Sequence, residues 1–354
     1  MCVVTVVITL FLYFLFQAGT SQTPPPLPDF SWLNTRNMSA FINPSEETAI
    51  ASPKACGKDE NVELLVFVTS APNKFESRRV IRKTWGNKLQ KSSANVKVYF
   101  ALGRPKDKDV HENIIKESEN FEDILYEDFA DTYLNLTLKT TFVLKWTTKY
   151  CPQTKFIFKV DDDVYVNTEK LWLALESTHL YFKSLTIKDY SGVDRSISAD
   201  YALIGSVMET VPIRDPQSKY YLPPNFYPLN IFPKFLSGTA YIFTGSLAVA
   251  LYNCALRTPF INLEDVFTTG LCATTQLGLR LTHNTGFQWR PMSVGGSHTC
   301  NFKQSVIVHD SFSPESLEEI FVRAEENLLC DTLLFAFMTH LSTVIEFVRK
   351  IFRI

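Results

Sequence analysis

Three short, nearly continuous apolar runs punctuate the chain: Val62-Glu63-Leu64-Leu65-Val66-Phe67-Val68, Val96-Lys97-Val98-Tyr99-Phe100-Ala101-Leu102 and Lys155-Phe156-Ile157-Phe158-Lys159-Val160. Each is bounded by turn residues, the signature of a strand buried on both faces. Between them, Glu76–Trp85 and Thr137–Tyr150 carry the spacing of helices. Strands alternating with helices predict an α/β fold whose central sheet is mostly parallel and covered on both sides. Residues 212–245 are rich in Pro, Tyr and Phe and predict long loops with short strands. The sequence holds no internal repeat.

The flanks have a different pattern. Met1–Phe16 is apolar apart from Thr5, Thr9 and the Tyr13 hydroxyl, and no charge appears before Asp29. A run of this length sits between a signal-peptide core and a membrane span of about 20 residues. No Lys or Arg precedes it. Phe16-Gln17-Ala18 is a poor cleavage site, and Ala18-Gly19-Thr20 a passable one. Residues 1–18 are therefore expected to be a signal anchor or a signal peptide, and either sends the remainder into the secretory lumen. Residues 19–60, with Pro24, Pro25, Pro26, Pro28, Pro44 and Pro53 among Ser, Thr and Asn, have the composition of a stem that buries no core. The catalytic-type domain is expected over 61–330. In 331–354, Leu334, Met338, Leu341, Ile345, Val348 and Phe352 recur every 3–4 residues, an amphipathic helix that packs on the domain or lies on a membrane surface.

Composition narrows the class. The 354 residues are 45% hydrophobic and 20% charged, which excludes disordered, collagenous and coiled-coil proteins. Lys and Arg total 35 against 37 Asp and Glu, so no basic footprint for nucleic acid exists. Asn37-Met38-Ser39 and Asn135-Leu136-Thr137 are glycosylation sequons and agree with a lumenal location; Asn43-Pro44-Ser45 is disqualified by its Pro. Beyond Cys2 the cysteines are Cys56, Cys151, Cys254, Cys272, Cys300 and Cys330. Their number is even, as lumenal pairing requires, but their spacing does not reveal the pairs. The absence of any CxxC pair argues against structural zinc.

The sharpest chemical feature is Asp161-Asp162-Asp163, set directly between the apolar runs Phe156–Val160 and Val164–Val166. Adjacent carboxylates repel unless a cation offsets them. Oxygen ligands suit Mg²⁺ or Mn²⁺, ions that usually also hold substrate phosphates. In open α/β sheets such residues sit at the carboxyl ends of strands, where ligands bind. A solvated acidic turn is the plainer alternative. Glu264-Asp265 lies where a helix begins, and a carboxylate there either caps the helix or serves as a general base. Arg78, Arg79, Arg82 and Lys83 cluster after the first strand. They suit a diphosphate, or simply line an exposed helix face. His309 ends the apolar run Val306–Val308 and is either structural or a metal ligand.

Ordered blocks carry a resemblance. They are Arg79-Val80-Ile81-Arg82-Lys83-Thr84-Trp85-Gly86, Phe100-Ala101-Leu102-Gly103 and Asp128-Phe129-Ala130-Asp131-Thr132-Tyr133-Leu134-Asn135-Leu136-Thr137-Leu138-Lys139-Thr140. Lys159-Val160-Asp161-Asp162-Asp163, Val211–Asp215 with Ser218–Tyr221, Ser237-Gly238-Thr239-Ala240-Tyr241, Glu264-Asp265-Val266 and Val308-His309 follow. Over roughly residues 61–325 the chain resembles the β-1,3-galactosyltransferase family, glycosyltransferase family 31, which also holds β-1,3-N-acetylglucosaminyltransferases. The resemblance implies a GT-A fold, a Rossmann-like domain that binds a UDP-sugar, on a lumenal stem behind a signal anchor in the Golgi membrane. A secreted form would follow if the N-terminus were cleaved. It implies Mn²⁺ (or Mg²⁺) held by Asp163, with Asp161 and His309 as further ligands, while Asp161 and Asp162 position nucleotide and sugar. Arg78, Arg82, Trp85 and Gly238 match segments that border the nucleotide-sugar. Asp265, with Glu264 beside it, matches the family's candidate base. The implied reaction moves galactose or an N-acetylhexosamine from UDP to the 3-hydroxyl of an acceptor sugar on a glycoprotein or glycolipid, with inversion to a β product. Ala240 departs from the pattern, since Gly is common there.

Two other readings remain at this level. One is a non-catalytic lumenal chaperone or sugar-binding member of the same family, a kind of relative that tends to lose the carboxylates that stand here. The other is a metal-dependent phosphohydrolase, which rests on the clustered Asp residues alone.

Overall fold

The computed structural model describes residues 38–57, 59–92, 95–188, 193–290, 302–310 and 312–325. The apolar N-terminal segment, Asn37, Cys300, Cys330 and the expected C-terminal helix lie outside the described residues. Among the described residues no helix is long and apolar enough to cross a membrane.

In chain order the strands are β1 (Ala49–Ala51), β2 (Leu64–Thr69), β3 (Val96–Arg104), β4 (Ile124–Ala130), β5 (Phe156–Asp161), β6 (Val164–Val166) and β7 (Tyr181–Lys188). They continue as β8 (Asp194–Tyr201), β9 (Leu203–Met208), β10 (Phe235–Thr244), β11 (Thr282–His283), β12 (Phe287–Gln288) and β13 (Ile307–His309). The helices are α1 (Phe75–Lys83), α2 (Trp85–Gln90), α3 (Lys108–Phe121), α4 (Leu136–Tyr150), α5 (Thr168–Glu176), α6 (Ala248–Ala255) and α7 (Pro314–Glu325), with a π-helix over Val266–Gln276.

The main sheet runs β1-β4-β3-β2-β5-β10-β9-β11. Its centre, β4-β3-β2-β5, is parallel, as the strand–helix alternation predicts. The outer half is not: β10 is antiparallel to both β5 and β9, and β1 is antiparallel to β4. The sheet is therefore mixed rather than mostly parallel. The physical reason is the β9–β10 connection, which contains no helix to carry the chain back across a sheet face. The expectation of short strands within 212–245 also falls short, since β10 is a ten-residue strand.

Side-chain alternation splits the sheet into two cores. From β2, Leu65 and Phe67 join Leu138, Phe142 and Trp146 of α4 on one face. Leu64, Val66 and Val68 join Val80, Ile81, Trp85 and Leu89 of α1 and α2 on the other. Phe67, Tyr99 and Trp146 meet edge to face, and the Trp146 indole N–H donates to Ser52 at 2.8 Å.

That last bond moves the expected domain boundary. Residues 38–57 pack against the domain rather than standing off as a stem. Met38 and Ile42 are fully buried, β1 pairs with β4, and Cys56 is disulfide-bonded to Cys151 at the end of α4. The Pro-rich composition prevents long regular elements here, but scattered apolar residues still dock when the chain is tethered. The disulfide spans 95 residues, and closing so long a loop removes much unfolded-state entropy. Replacing Cys151 by Ala is expected to cost about 2–5 kcal/mol in chemical denaturation. Dithiothreitol should cause a similar loss in the parent chain and none in the variant.

Candidate active site at the strand ends

β2 and β5 pair in parallel with Thr69 opposite Asp161, so Thr69-Ser70 and Asp161-Asp162-Asp163 emerge together at the carboxyl edge of the sheet. The Thr69 hydroxyl donates to Asp161 Oδ1 at 2.5 Å, and the Ser70 hydroxyl to Asp162 Oδ2 at 2.6 Å. Asp163 turns away from both. The chain continues into β6, which pairs antiparallel with β13 and sets Val164 opposite His309. His309 Nε2 lies 3.6 Å from Asp163 Oδ2. Burial pushes the Asp162 carboxyl up, and the charges of Asp163 and Asp161 add to this. Burial also opposes ionisation of Asp163, but the hydrogen bond and charge of His309 outweigh it and hold that carboxyl below its usual range. His309 is raised in turn, chiefly by its bond to Asp163.

Across β5 stands the second carboxylate pair. β10 places Tyr241 opposite Lys159 and Ala240 opposite Val160. Ala240 is buried in extended backbone, and among the described residues Glu122 is the only non-Gly with positive φ, so this position makes no use of a glycine's freedom. The buried Lys159 ammonium donates to Asp161 Oδ1 at 2.5 Å and to the Gly238 carbonyl. Burial works against its charge, but Asp161, Glu264 and Asp265 together raise it. Asp265 caps the π-helix: Oδ1 accepts the Val266 N–H at 2.8 Å and Oδ2 the Gly238 N–H at 3.0 Å. A Cβ on residue 238 would lie 3.2 Å from both Cβ and Oδ2 of Asp265, so glycine is what permits this approach. Burial pushes the Asp265 carboxyl up despite the two N–H donors. Capping and basicity thus coexist in one side chain, since a carboxylate has lone pairs left for a third donor.

Several expected site residues are placed differently. Arg78 is fully buried and has no donor to spare. Its Nε and Nη2 hold Glu117 at 2.9 and 2.7 Å, Nη1 reaches the Ala71 carbonyl and the Ser70 hydroxyl, and Nη2 also reaches the Pro72 carbonyl. All five N–H groups are committed, so Arg78 shapes the loop after β2 and does not meet a nucleotide. Arg82 is bidentate to Asp123 at 2.7 and 2.8 Å and also bonds Glu117. Trp85 is fully buried in the core beneath the sheet. Glu264 is buried behind Asp265 with Oε1 accepting from the Tyr241 hydroxyl at 2.6 Å, which makes it a support rather than a reacting group. Asp161, expected also on the metal, has Oδ1 turned to Thr69 and Lys159. Asn135 is buried with its amide donating to the Ala130 carbonyl at 2.8 Å, which leaves no room for a glycan in the folded protein.

The site also contains cations and hydroxyls that the sequence alone does not single out. Lys159 and Lys139 are both buried, and Lys139 joins the Ser70 carbonyl at 2.7 Å to Asp131 at 2.8 Å. The available signal was a Lys inside an apolar strand two residues ahead of the carboxylates, since a buried Lys requires a partner.

A cation fits at one point. Asp163 and His309 are partly exposed and present a carboxylate and an imidazole to one another. His309 Nδ1 faces the Trp289 carbonyl at 3.2 Å, a contact that places the proton there and leaves Nε2 free to ligate. Among the described residues no group of three or more His, Cys, Asp or Glu closes around a point. Two protein ligands with the rest from water and phosphate is the usual arrangement for Mg²⁺-type sites.

The galactosyltransferase family model matches residues 76–285. The chain is 34% identical over 293 residues to β-1,3-galactosyltransferase 1 of Mus musculus and of Homo sapiens, covering 82% of this chain and 82% of each relative. It is 31% identical over 249 residues to human β-1,3-galactosyltransferase 5, covering 70% and 74%. Among solved structures, a glycosyltransferase involved in glycosylation of the major capsid of PBCV-1 overlays with a TM-score of 0.37 at 10% identity, covering 73% of this chain and 99% of that one. So loose an overlay carries no weight. The sequence matches do: the chain belongs to the β-1,3-galactosyltransferase family, glycosyltransferase family 31.

Lys159 offers a direct check on the electrostatics. Replacing it with Met leaves Asp161, Glu264 and Asp265 without their shared cation, a change expected to cost about 3–5 kcal/mol near neutral pH. The raised carboxyls Glu264 and Asp265 protonate as pH falls, so the deficit should shrink toward pH 5 and widen above pH 7. Denaturation midpoints of parent and variant across that range would reveal the trend, and a pH-independent deficit would contradict it.

Proposed function

We propose that this chain is an inverting glycosyltransferase of the GT-A type that moves galactose from UDP-galactose to the 3-hydroxyl of an acceptor sugar. The family and the relatives' names support the reaction class and the donor. The observation that carries the reading is the division of labour among the carboxylates. Asp163 faces His309, whereas Asp265, half-buried like it, is raised and fixed by two backbone N–H groups on the far side of β5.

In this reading Asp163 and His309 hold Mn²⁺, or Mg²⁺, against the donor diphosphate. The ion, when bound, offsets charge on the departing UDP. Asp162, steadied by Ser70, and Asp161, steadied by Thr69 and Lys159, line the donor side. Asp265 Oδ2 accepts the proton of the acceptor hydroxyl as its oxygen attacks the anomeric carbon. Lys159 limits the rise in the Asp265 carboxyl and so favours the carboxylate form that a base requires. Glu264 and Tyr241 support this pair from beneath. A Golgi location, an N-terminal membrane anchor and a stem ahead of residue 38 complete the proposal, and rest on the apolar N-terminal run and the family.

UDP release by the purified chain from UDP-galactose with Mn²⁺ and benzyl β-N-acetylglucosaminide tests this. Release should stop on chelation and in Asp163→Ala. It should fall about 10²–10⁴-fold in Asp265→Asn with UDP binding retained. Full turnover by Asp265→Asn would remove the base assignment. UDP binding without release from any UDP-sugar would favour the non-catalytic reading. The acid limb of kcat/KM should lie above the ordinary aspartate value of about 3.9, because the base is lost as pH falls through a raised pKa.

A further inference from the structure

Beside the carboxylates lie two aromatic residues that folding does not bury. Tyr133 and Tyr220 are 44% and 42% exposed. Their rings meet edge to face, with centroids 6.2 Å apart and planes at 70°. The Lys219 ammonium sits over both, 5.5 Å from the Tyr133 centroid and 4.8 Å from that of Tyr220. A cation over paired rings fixes their orientation without covering their outer faces.

Both residues are held from behind. Tyr133 opens the short turn Tyr133–Asn135, which Asn135 ties to the Ala130 carbonyl. Next to it the buried Asp131–Lys139 pair reaches the Ser70 carbonyl, so this turn is braced against the loop whose hydroxyl holds Asp162. Tyr220 lies in a loop pinned by Arg214, whose guanidinium donates to the carbonyls of Leu222 and Tyr227 at 2.6 Å each. Asn262, two residues ahead of Glu264, donates to the Tyr221 carbonyl of the same loop.

The Asn262–Tyr221 bond ties the Tyr220 loop to the segment that carries Glu264 and Asp265. The charges of Asp265 and Asp161 both act on the Tyr133 phenol, after burial and the neighbouring Tyr220. We propose that Tyr133 and Tyr220 form the platform on which the acceptor hexopyranose stacks its C–H face, with the attacking hydroxyl directed at Asp265. A rigid amphipathic aromatic suits this: the ring meets the apolar face of the sugar and the phenol its hydroxyls. The proposal rests on the reading of the site as a glycosyl-transfer centre and adds to it the residues that select the acceptor.

Saturation-transfer NMR of benzyl β-N-acetylglucosaminide with the full chain tests the platform without turnover, alongside calorimetric UDP binding. Tyr133→Ala and Tyr220→Ala should each weaken sugar binding about tenfold, while Tyr220→Trp retains it and UDP affinity stays within about twofold. In turnover, the two Ala variants should raise the acceptor KM far more than they lower kcat. Unchanged sugar binding in both Ala variants, or no binding by the parent chain, would overturn the proposal. Tyrosine-dependent sugar binding by a chain that releases no UDP from UDP-galactose would overturn the transfer reading and leave the platform standing.

Discussion

One buried ammonium makes this edge of the sheet tenable. Lys159 reaches from the middle of the molecule to Asp161 and to the Gly238 carbonyl, and its charge also acts on Glu264 and Asp265. Without it, Asp161 at the end of β5 and Glu264 and Asp265 at the start of the π-helix would face one another in a poorly hydrated space, where like charges cannot all stay ionised. Because it is a point charge on a long stem, it serves β5 and β10 at once. The strands it joins are antiparallel, and this is the pair that breaks the parallel run of the sheet.

The rest of the site follows from how the chain leaves that edge. Asp161 and Asp162 remain under the hydroxyls of Thr69 and Ser70, while Asp163 is carried off into β6 toward His309. Three successive residues therefore enter three environments, and the carboxyls separate in character: burial pushes Asp162 up and His309 holds Asp163 down. On the opposite bank, the missing side chain of Gly238 allows Asp265 to take a backbone N–H from β10 while capping the π-helix. The arginines expected to meet phosphate have a different task. Arg78 and Arg82 share Glu117, and Arg78 spends its remaining donors on the loop that presents Ser70.

The apolar runs at 62–68, 96–102 and 155–160 and the helices near 76–85 and 137–150 were legible because each is a local pattern of the right length. The carboxylates at 161–163 and 264–265 were legible for a related reason: clustered like charges beside apolar strands are costly and therefore informative. What could not be read depends on distance along the chain. Glu117 and Asp123 lie 35–41 residues from the arginines they neutralise, so Arg78 and Arg82 looked free. The antiparallel course of β10 depends on a connection whose path leaves no periodic trace. Residues 38–57 looked like a linker because burial of Met38 and Ile42 depends on α4 and on the Cys56–Cys151 bond, and composition alone carries neither.

If the strand-end carboxylates divide, as proposed, into a donor–metal side and a base side, anomalous scattering from a crystal grown with UDP and Mn²⁺ will show one manganese peak between Asp163, His309 and the diphosphate, with Asp265 across the cleft and free of metal. Manganese bound to Asp265, or UDP bound away from the ends of β2 and β5, would contradict that division.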